Sequence, residues 1–91
     1  MGRKRKLLES LLRLPPEMRY EEVEMVLTTF GFKPVRFRGS HHQFRHPGGV
    51  MLTVPKMGGQ VVKRSYLKQV VPALEEATGK AVEELLAVHL G

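Results

Sequence analysis

The segment from residue 39 to residue 46, Gly-Ser-His-His-Gln-Phe-Arg-His, holds three of the four histidines in the chain. It lies in a longer stretch, Phe32 to Val71, that contains eight Lys or Arg and no Asp or Glu. An imidazole can accept or release a proton near neutral pH, and a uniformly positive region attracts phosphate groups. The sequence therefore predicts proton-transfer chemistry on a nucleic acid.

The composition narrows that chemistry further. A chain of 91 residues makes one small domain, and the absence of Cys excludes disulfides, thiolate zinc sites and a cysteine nucleophile. All nine acidic residues are Glu and lie outside the positive stretch, so the histidines have no neighbouring carboxylate cluster of the kind that holds paired metal ions in nucleases. No apolar run approaches the roughly 18 residues of a membrane span. We expect a cytoplasmic protein with a polyanionic partner, no cofactor, no metal and no membrane contact.

Three short strands are predicted around the histidines. Residues 34–38 alternate apolar and basic side chains, as a strand with two different faces does. The Gly-Ser pair at 39–40 is the first turn, 41–46 is the second strand, and the Pro-Gly-Gly at 47–49 is the second turn. The third strand is predicted over 50–54. Short turns between consecutive strands indicate an antiparallel sheet.

Helices are predicted before and after these strands. Tyr20 to Phe30 has apolar residues at helical spacing, and a second helix begins near Lys63 to Ser65. Pro72 lies inside the second helix, where we expect a kink or a helix end with a restart. Shorter helices are predicted at the two ends of the chain, over 3–14 and 81–90.

These elements predict an α+β fold of the order α-β-β-β-α. A three-stranded antiparallel sheet has helices on one face and leaves the other open, and short terminal helices are added. We expect three regions: an N-terminal helical extension with a Pro linker (1–19), the main domain (20–79) and a C-terminal helical tail (80–91).

Alternation along the second strand separates its histidines. If Phe44 points to the helices, His42 and His46 point with it. The open face then carries the other polar residues of this strand and the arginines of the first strand: His41, Gln43, Arg45, Arg36 and Arg38. Surrounding cations favour a neutral imidazole, which is the form that a general base needs. His41 is thus the candidate catalytic residue.

Each histidine also has a plainer interpretation. His41 could be a phosphate contact without a catalytic role, and His42 and His46 could be edge or core residues with satisfied ring nitrogens. A zinc site made by all three is disfavoured, because adjacent strand residues face opposite ways.

Three more residues are candidates for binding phosphate. Ser40 either caps the turn or binds a phosphate oxygen. Lys63 and Arg64 lie at the predicted start of the second helix, where a positive helix end and basic side chains suit an anion. The plainer interpretation of Lys63 and Arg64 is that they belong to a solvated helix face.

Several motifs follow one another as they do in one protein family: Phe30-Gly31-Phe32, Gly39-Ser40-His41-His42-Gln43-Phe44, His46-Pro47, Leu52-Thr53-Val54-Pro55, and Lys63 with Leu67-Lys68-Gln69-Val70. Over about residues 20–75 the chain resembles the HicA toxins, the YcfA-like mRNA interferases of type II toxin-antitoxin systems. The resemblance implies a double-stranded-RNA-binding-domain-like fold. It also implies metal-free cleavage of mRNA that depends on one histidine, here His41, and a HicB antitoxin that covers the active site. The chain departs from the shortest members in its extension through Pro16, its tail after Ala77 and its Gly58-Gly59 loop.

The leading hypothesis is a metal-independent endoribonuclease in which His41 takes the proton of a ribose 2′-OH. The general acid of this reaction is not assigned: His42 and a lysine are both candidates. The residues expected to bind the nucleic acid are Arg36, Arg38, Ser40, His42, Arg45, Lys63 and Arg64. The alternative is a non-catalytic RNA-binding module that uses the same basic sheet face. A toxin that has lost activity and only pairs with an antitoxin is a third. The chain is expected to be a monomer or a weak homodimer.

Overall fold

The structure is a computed structural model that describes residues 3–58 and 60–89, the last two of these by their backbone alone. Its helices and strands, in chain order, are α1 (Arg3–Leu12), β1 (Glu17–Arg19), α2 (Tyr20–Thr29), β2 (Lys33–Arg38), β3 (His41–Arg45), β4 (Met51–Pro55), β5 (Val61–Lys63), α3 (Arg64–Thr78) and α4 (Val82–His89). The predicted end of the last helix at Leu90 lies outside the described residues.

The main sheet is the predicted one. Its three antiparallel strands lie in the order β2-β3-β4, with Arg38 opposite His41 and Phe44 opposite Leu52. The helices α2 and α3 precede and follow these strands along the chain. The α-β-β-β-α order and the α+β class are therefore confirmed, and they agree with a double-stranded-RNA-binding-domain-like fold.

A second, two-stranded sheet was not predicted from the sequence. It pairs β1 with β5 in antiparallel register, so that Glu17 lies opposite Lys63. Each strand has only three residues, which is too few for alternation to be recognised. Because α2 starts directly after β1 and α3 directly after β5, this pair brings the starts of the two helices side by side.

The core extends beyond the sheet and the two main helices. Leu8 and Leu11 of α1 and Leu85 of α4 are completely buried in the same cluster as Phe44. The Arg5 guanidinium donates a hydrogen bond of 2.6 Å to the Leu86 carbonyl, which joins the two terminal helices. Both terminal helices therefore complete the one core of the described residues. No helix within 3–58 and 60–89 has the length and apolarity needed to cross a bilayer.

The helix α3 decides against one of the two outcomes expected at Pro72. It continues from Arg64 to Thr78 through Pro72, so the alternative of a helix end with a restart is wrong. Pro72 and Lys68, the residue four positions earlier, are both exposed. The Lys68 carbonyl, which has no Pro72 N–H as a partner, thus belongs to the exposed side of the helix. The buried side chains Val70 and Leu74 hold both halves of the helix against the core.

Candidate active site

A shallow pocket of about 250 Å³ lies on the open face of the main sheet. Two strands supply its basic walls and the third adds a polar side chain, so that its lining is Arg36, Arg38, His41, Gln43 and Thr53. No carboxylate is among these side chains. The pocket thus combines one titratable imidazole with two permanent positive charges.

The β2–β3 hairpin determines this arrangement. Gly39 adopts a left-handed conformation with φ of 60°, which suits glycine in a tight turn. The turn pairs Arg38 with His41, and Arg36 is paired with Gln43. A register shift between Pro34 and Arg36 leaves Val35 without a partner in the ladder, so the alternation of β2 is regular only beyond this bulge.

The His41 imidazole is exposed to solvent. Within the described residues its side chain has no hydrogen bond, ion pair or ring contact. A ligand can therefore approach the ring nitrogens without displacing a protein group. Since no partner holds the ring, either nitrogen can accept a proton from such a ligand.

His42 points to the other face and is held there by an aromatic partner. Its Nδ1 atom lies 3.0 Å from the Tyr20 hydroxyl, within hydrogen-bond distance. Partial burial lowers the pKa of His42, the nearby Lys56 ammonium lowers it further, and Glu24 opposes this effect. Burial, together with Glu24, raises the pKa of Tyr20 to about 12. Both groups are therefore uncharged at neutral pH and share one hydrogen bond.

His46 supports the turn that follows β3. Its Nδ1 atom accepts a hydrogen bond of 3.0 Å from the Gly48 N–H. Its ring meets the buried Phe32 ring edge-on, with 5.2 Å between the centroids. A Cβ atom on Gly31 would lie only 3.0 Å from its Nε2 atom, so the helix end packs directly on this ring. These contacts support the structural interpretation of His46.

Two of the remaining sequence candidates stay accessible on the sheet. Ser40 lies in the turn between β2 and β3, is exposed, and accepts the Lys56 N–H at its carbonyl over 2.7 Å. Arg45 lies at the far end of β3, opposite Lys33 and Met51. It is exposed but is not among the residues that line the pocket.

The two candidates at the start of α3 already have partners. The Lys63 ammonium lies 3.1 Å from a Glu17 carboxylate oxygen. The Arg64 Nε–H donates to the Leu14 carbonyl over 2.8 Å, which fixes the segment between α1 and β1. Neither side chain lines the pocket. The structure therefore does not bring them together with His41.

Some side chains around the site were missed as functional candidates. Thr53 alternates with the buried Leu52 and Val54, so the predicted third strand contained the signal for its place on the open face. Gln43 was placed on this face but not counted as a candidate. The contact between Tyr20 and His42 joins residues far apart in sequence, and no local pattern could have indicated it.

The three histidines of residues 41–46 do not converge on one point. The described residues contain no group of three His, Cys, Asp or Glu side chains placed to share an ion. His41 and His42 lie on opposite faces of β3, and His46 is engaged with the following turn. The zinc site considered from the sequence therefore has no support in this arrangement.

Comparison with known families identifies the chain. A family model described as the HicA toxin of bacterial toxin-antitoxin systems matches residues 20–78. The chain belongs to the HicA toxin family. No curated protein and no solved structure gives a significant match. The part of the chain that matches the HicA model contains α2, the main sheet with its pocket, β5 and α3.

Proposed function

We propose that this HicA-family protein is a metal-independent endoribonuclease that cleaves mRNA, with His41 as its general base. The observation that carries the proposal is the unengaged His41 imidazole in a pocket with Arg36 and Arg38 and without a carboxylate. Membership of the HicA toxin family supports a toxic activity on RNA.

In the proposed reaction, a His41 ring nitrogen takes the proton of a ribose 2′-OH. The 2′-oxygen attacks the adjacent phosphorus, and the bond from phosphorus to the 5′-oxygen breaks. The products are a 2′,3′-cyclic phosphate and a 5′-hydroxyl end. Arg36 and Arg38 donate hydrogen bonds to the phosphate oxygens and stabilise the charge that develops on them.

The leaving 5′-oxygen must also gain a proton. His42 is poorly placed to supply it, because the β3 backbone separates its ring from that of His41 and Tyr20 engages its Nδ1 atom. The pocket lining has no lysine. We therefore propose that water, or the protonated His41, donates this proton.

The other candidates would contribute to binding. We propose that Arg45 and Ser40 contact phosphates on either side of the pocket. Lys63 and Arg64 already bind Glu17 and the Leu14 carbonyl, and His42 is partly buried, so we expect these three to contribute less than Arg36 and Arg38. Residues 20–79 would carry the site, with α1 and α4 completing the core.

The proposal includes an antitoxin and a cellular location. A HicB-type antitoxin would neutralise the protein by covering the pocket, and the reaction would take place in the cytoplasm, where mRNA is translated. The pocket lining of this protein has two arginines and no carboxylate. It therefore predicts an acidic contact surface on the antitoxin.

The deciding experiment measures RNA cleavage by the wild-type protein and by His41→Ala, both in excess EDTA. We expect cleavage by the wild type, a cyclic phosphate on the product, and a loss of activity in a variant that still folds and binds RNA. A single 2′-deoxy substitution at the cleaved position should block the reaction. Cleavage of an all-deoxy substrate, or equal activity of both proteins, would contradict the proposal.

The second candidate function is a non-catalytic RNA-binding module. It is favoured because the pocket lining holds no second titratable group, besides His41, that could protonate the leaving oxygen. Such a module would bind RNA with a steep salt dependence and would leave the strand intact under all conditions.

A further inference from the structure

The strand β2 is exposed along its whole length. All six of its residues are accessible, and Phe37 keeps 60% of its surface in contact with water. In the described residues no strand pairs with the outer edge of β2. Both faces and the edge of this strand are therefore open to a ligand.

The exposed Phe37 ring is nevertheless held in place from behind. Its centroid lies 4.6 Å from that of His42 at an angle of 58°, and the His42 centroid lies 4.7 Å from that of Tyr20. The hydrogen bond between Tyr20 and His42 fixes the middle of this row. Lys56 closes the inner end, with its ammonium 4.9 Å from the Tyr20 centroid. Phe37 is thus the outer, open member of a supported row of rings.

The residues on either side of Phe37 in the chain are basic. Its neighbours in the chain, Arg36 and Arg38, line the pocket on the opposite face together with His41. The arrangement requires a strand of nucleic acid to cross the free edge of β2, with a phosphate in the pocket on one face and an adjacent base over Phe37 on the other. A strand with an exposed apolar ring on one face and arginines on the other suits a ligand that carries both negative charge and flat apolar faces.

We propose that Phe37 is a base-stacking platform for a nucleotide next to the phosphate held at His41, and that the substrate is therefore single-stranded RNA. In a duplex the faces of the bases are covered by their neighbours, whereas unpaired bases can stack on aromatic side chains. Such stacking accepts every base, because each has a flat π face. The inference rests on the proposed function and defines the substrate of the same site.

The test measures binding of the full chain to a short 2′-O-methyl RNA, which lacks the free 2′-OH needed for cleavage, as a single strand and as a duplex. We expect Phe37→Leu to weaken single-strand binding by roughly 5- to 150-fold, the range for loss of one stacked base. Phe37→Tyr should bind as the wild type does, and duplex binding should not change. Val35→Ala is the matched control, because Val35 is an exposed apolar residue of the same strand.

A second measurement reports the stacking directly. The chain contains two Tyr and no Trp, so Phe37→Trp introduces a single tryptophan that can be excited without the tyrosines and whose emission a stacked base should quench. Val35→Trp is the control for quenching by a base that lies nearby without stacking on residue 37. Quenching at position 37 that clearly exceeds quenching at position 35 supports the proposal, and equal quenching at both positions overturns it.

The outcomes separate this inference from the proposed function. If the wild type cleaves RNA and Phe37→Leu binds RNA as the wild type does, the stacking platform is wrong and the nuclease stands. If Phe37 is required for single-strand binding but no strand is cut, the platform stands and the nuclease fails. If Phe37→Leu keeps RNA affinity but loses binding to a protein partner, the surface is a protein interface and the inference is overturned.

Discussion

The two faces of the main sheet use the same residue type in opposite ways. On the open face His41 is exposed and its side chain has no partner within the described residues. On the other face Tyr20 holds His42, and the following turn holds His46. All three lie within six consecutive residues, so the comparison shows that strand alternation and partners from distant elements decide what each imidazole can do.

The electrostatic surroundings of the two faces differ as well. The pocket lining has two arginines and no carboxylate, so a bound phosphate would meet only positive charge there. On the helix side, Glu24 is close enough to act on the pKa values of both Tyr20 and His42. The acid-free stretch of the sequence therefore corresponds to an acid-free pocket on one face only.

The largest expected effect separates His41 from His46. His41→Ala should lower the rate of RNA cleavage by roughly 10²- to 10⁴-fold, the usual contribution of a general base, and should leave the melting temperature unchanged because the side chain is exposed. His46→Ala should lower the melting temperature, because it removes the contacts with Gly48 and Phe32. Cleavage assays and thermal unfolding of both variants check this. A folded His46→Ala with the same loss of activity as His41→Ala would contradict the division.

The next largest effect concerns stability and compares two adjacent residues of β3. Phe44 is completely buried, and Phe44→Ala should decrease the free energy of unfolding by about 3–5 kcal/mol. Gln43 lines the pocket on the other face, and Gln43→Ala should change it by no more than about 0.5 kcal/mol. Urea unfolding of the two variants gives both values. Equal decreases in the free energy of unfolding would contradict this comparison, because they would mean that the open face is covered in solution.

The sequence was sufficient for the elements that carry regular patterns. The alternation in residues 41–46 predicted which side chains share a face, and the apolar spacing after Tyr20 predicted a helix whose observed range is Tyr20–Thr29. Two turns rich in glycine fixed the order of the three strands. These signals are local, and so they could be recognised without knowledge of the fold.

Features that depend on distant contacts were missed. The strands β1 and β5 are recognisable only through their mutual pairing, which connects residues more than forty positions apart. Lys63 and Arg64 looked available as cations, but Glu17 and the Leu14 carbonyl engage them. For Pro72, the sequence indicated a lost hydrogen bond, but not that the packing of Val70 and Leu74 against the core would keep α3 continuous.

The salt dependence of RNA binding tests whether the nucleic acid binds to the open face of the sheet. Each of Arg36→Gln and Arg38→Gln should reduce the slope of log affinity against log salt concentration by about 1, as expected for one lost phosphate contact. Lys4→Gln is the matched control, because Lys4 is an exposed cation on α1 outside the pocket lining. Binding titrations at several salt concentrations measure the slopes. If Lys4→Gln alters the slope as much as the two arginine variants do, RNA binding is not confined to the open face.

The smallest expected effect concerns His42 and pH. Burial lowers the pKa of His42 in the folded protein below its ordinary value of 6.5, so the unfolded chain binds a proton more readily. The stability that neutral His42 contributes is fully present above about pH 6.5. It is lost as the pH falls from there through the lower pKa of the folded state. Because His42 is only partly buried, we expect a decrease of at most a few degrees in melting temperature between about pH 7.5 and pH 5.5. His42→Gln should make this dependence flatter, and a variant with the wild-type slope would show that the burial of His42 does not disfavour the charged ring.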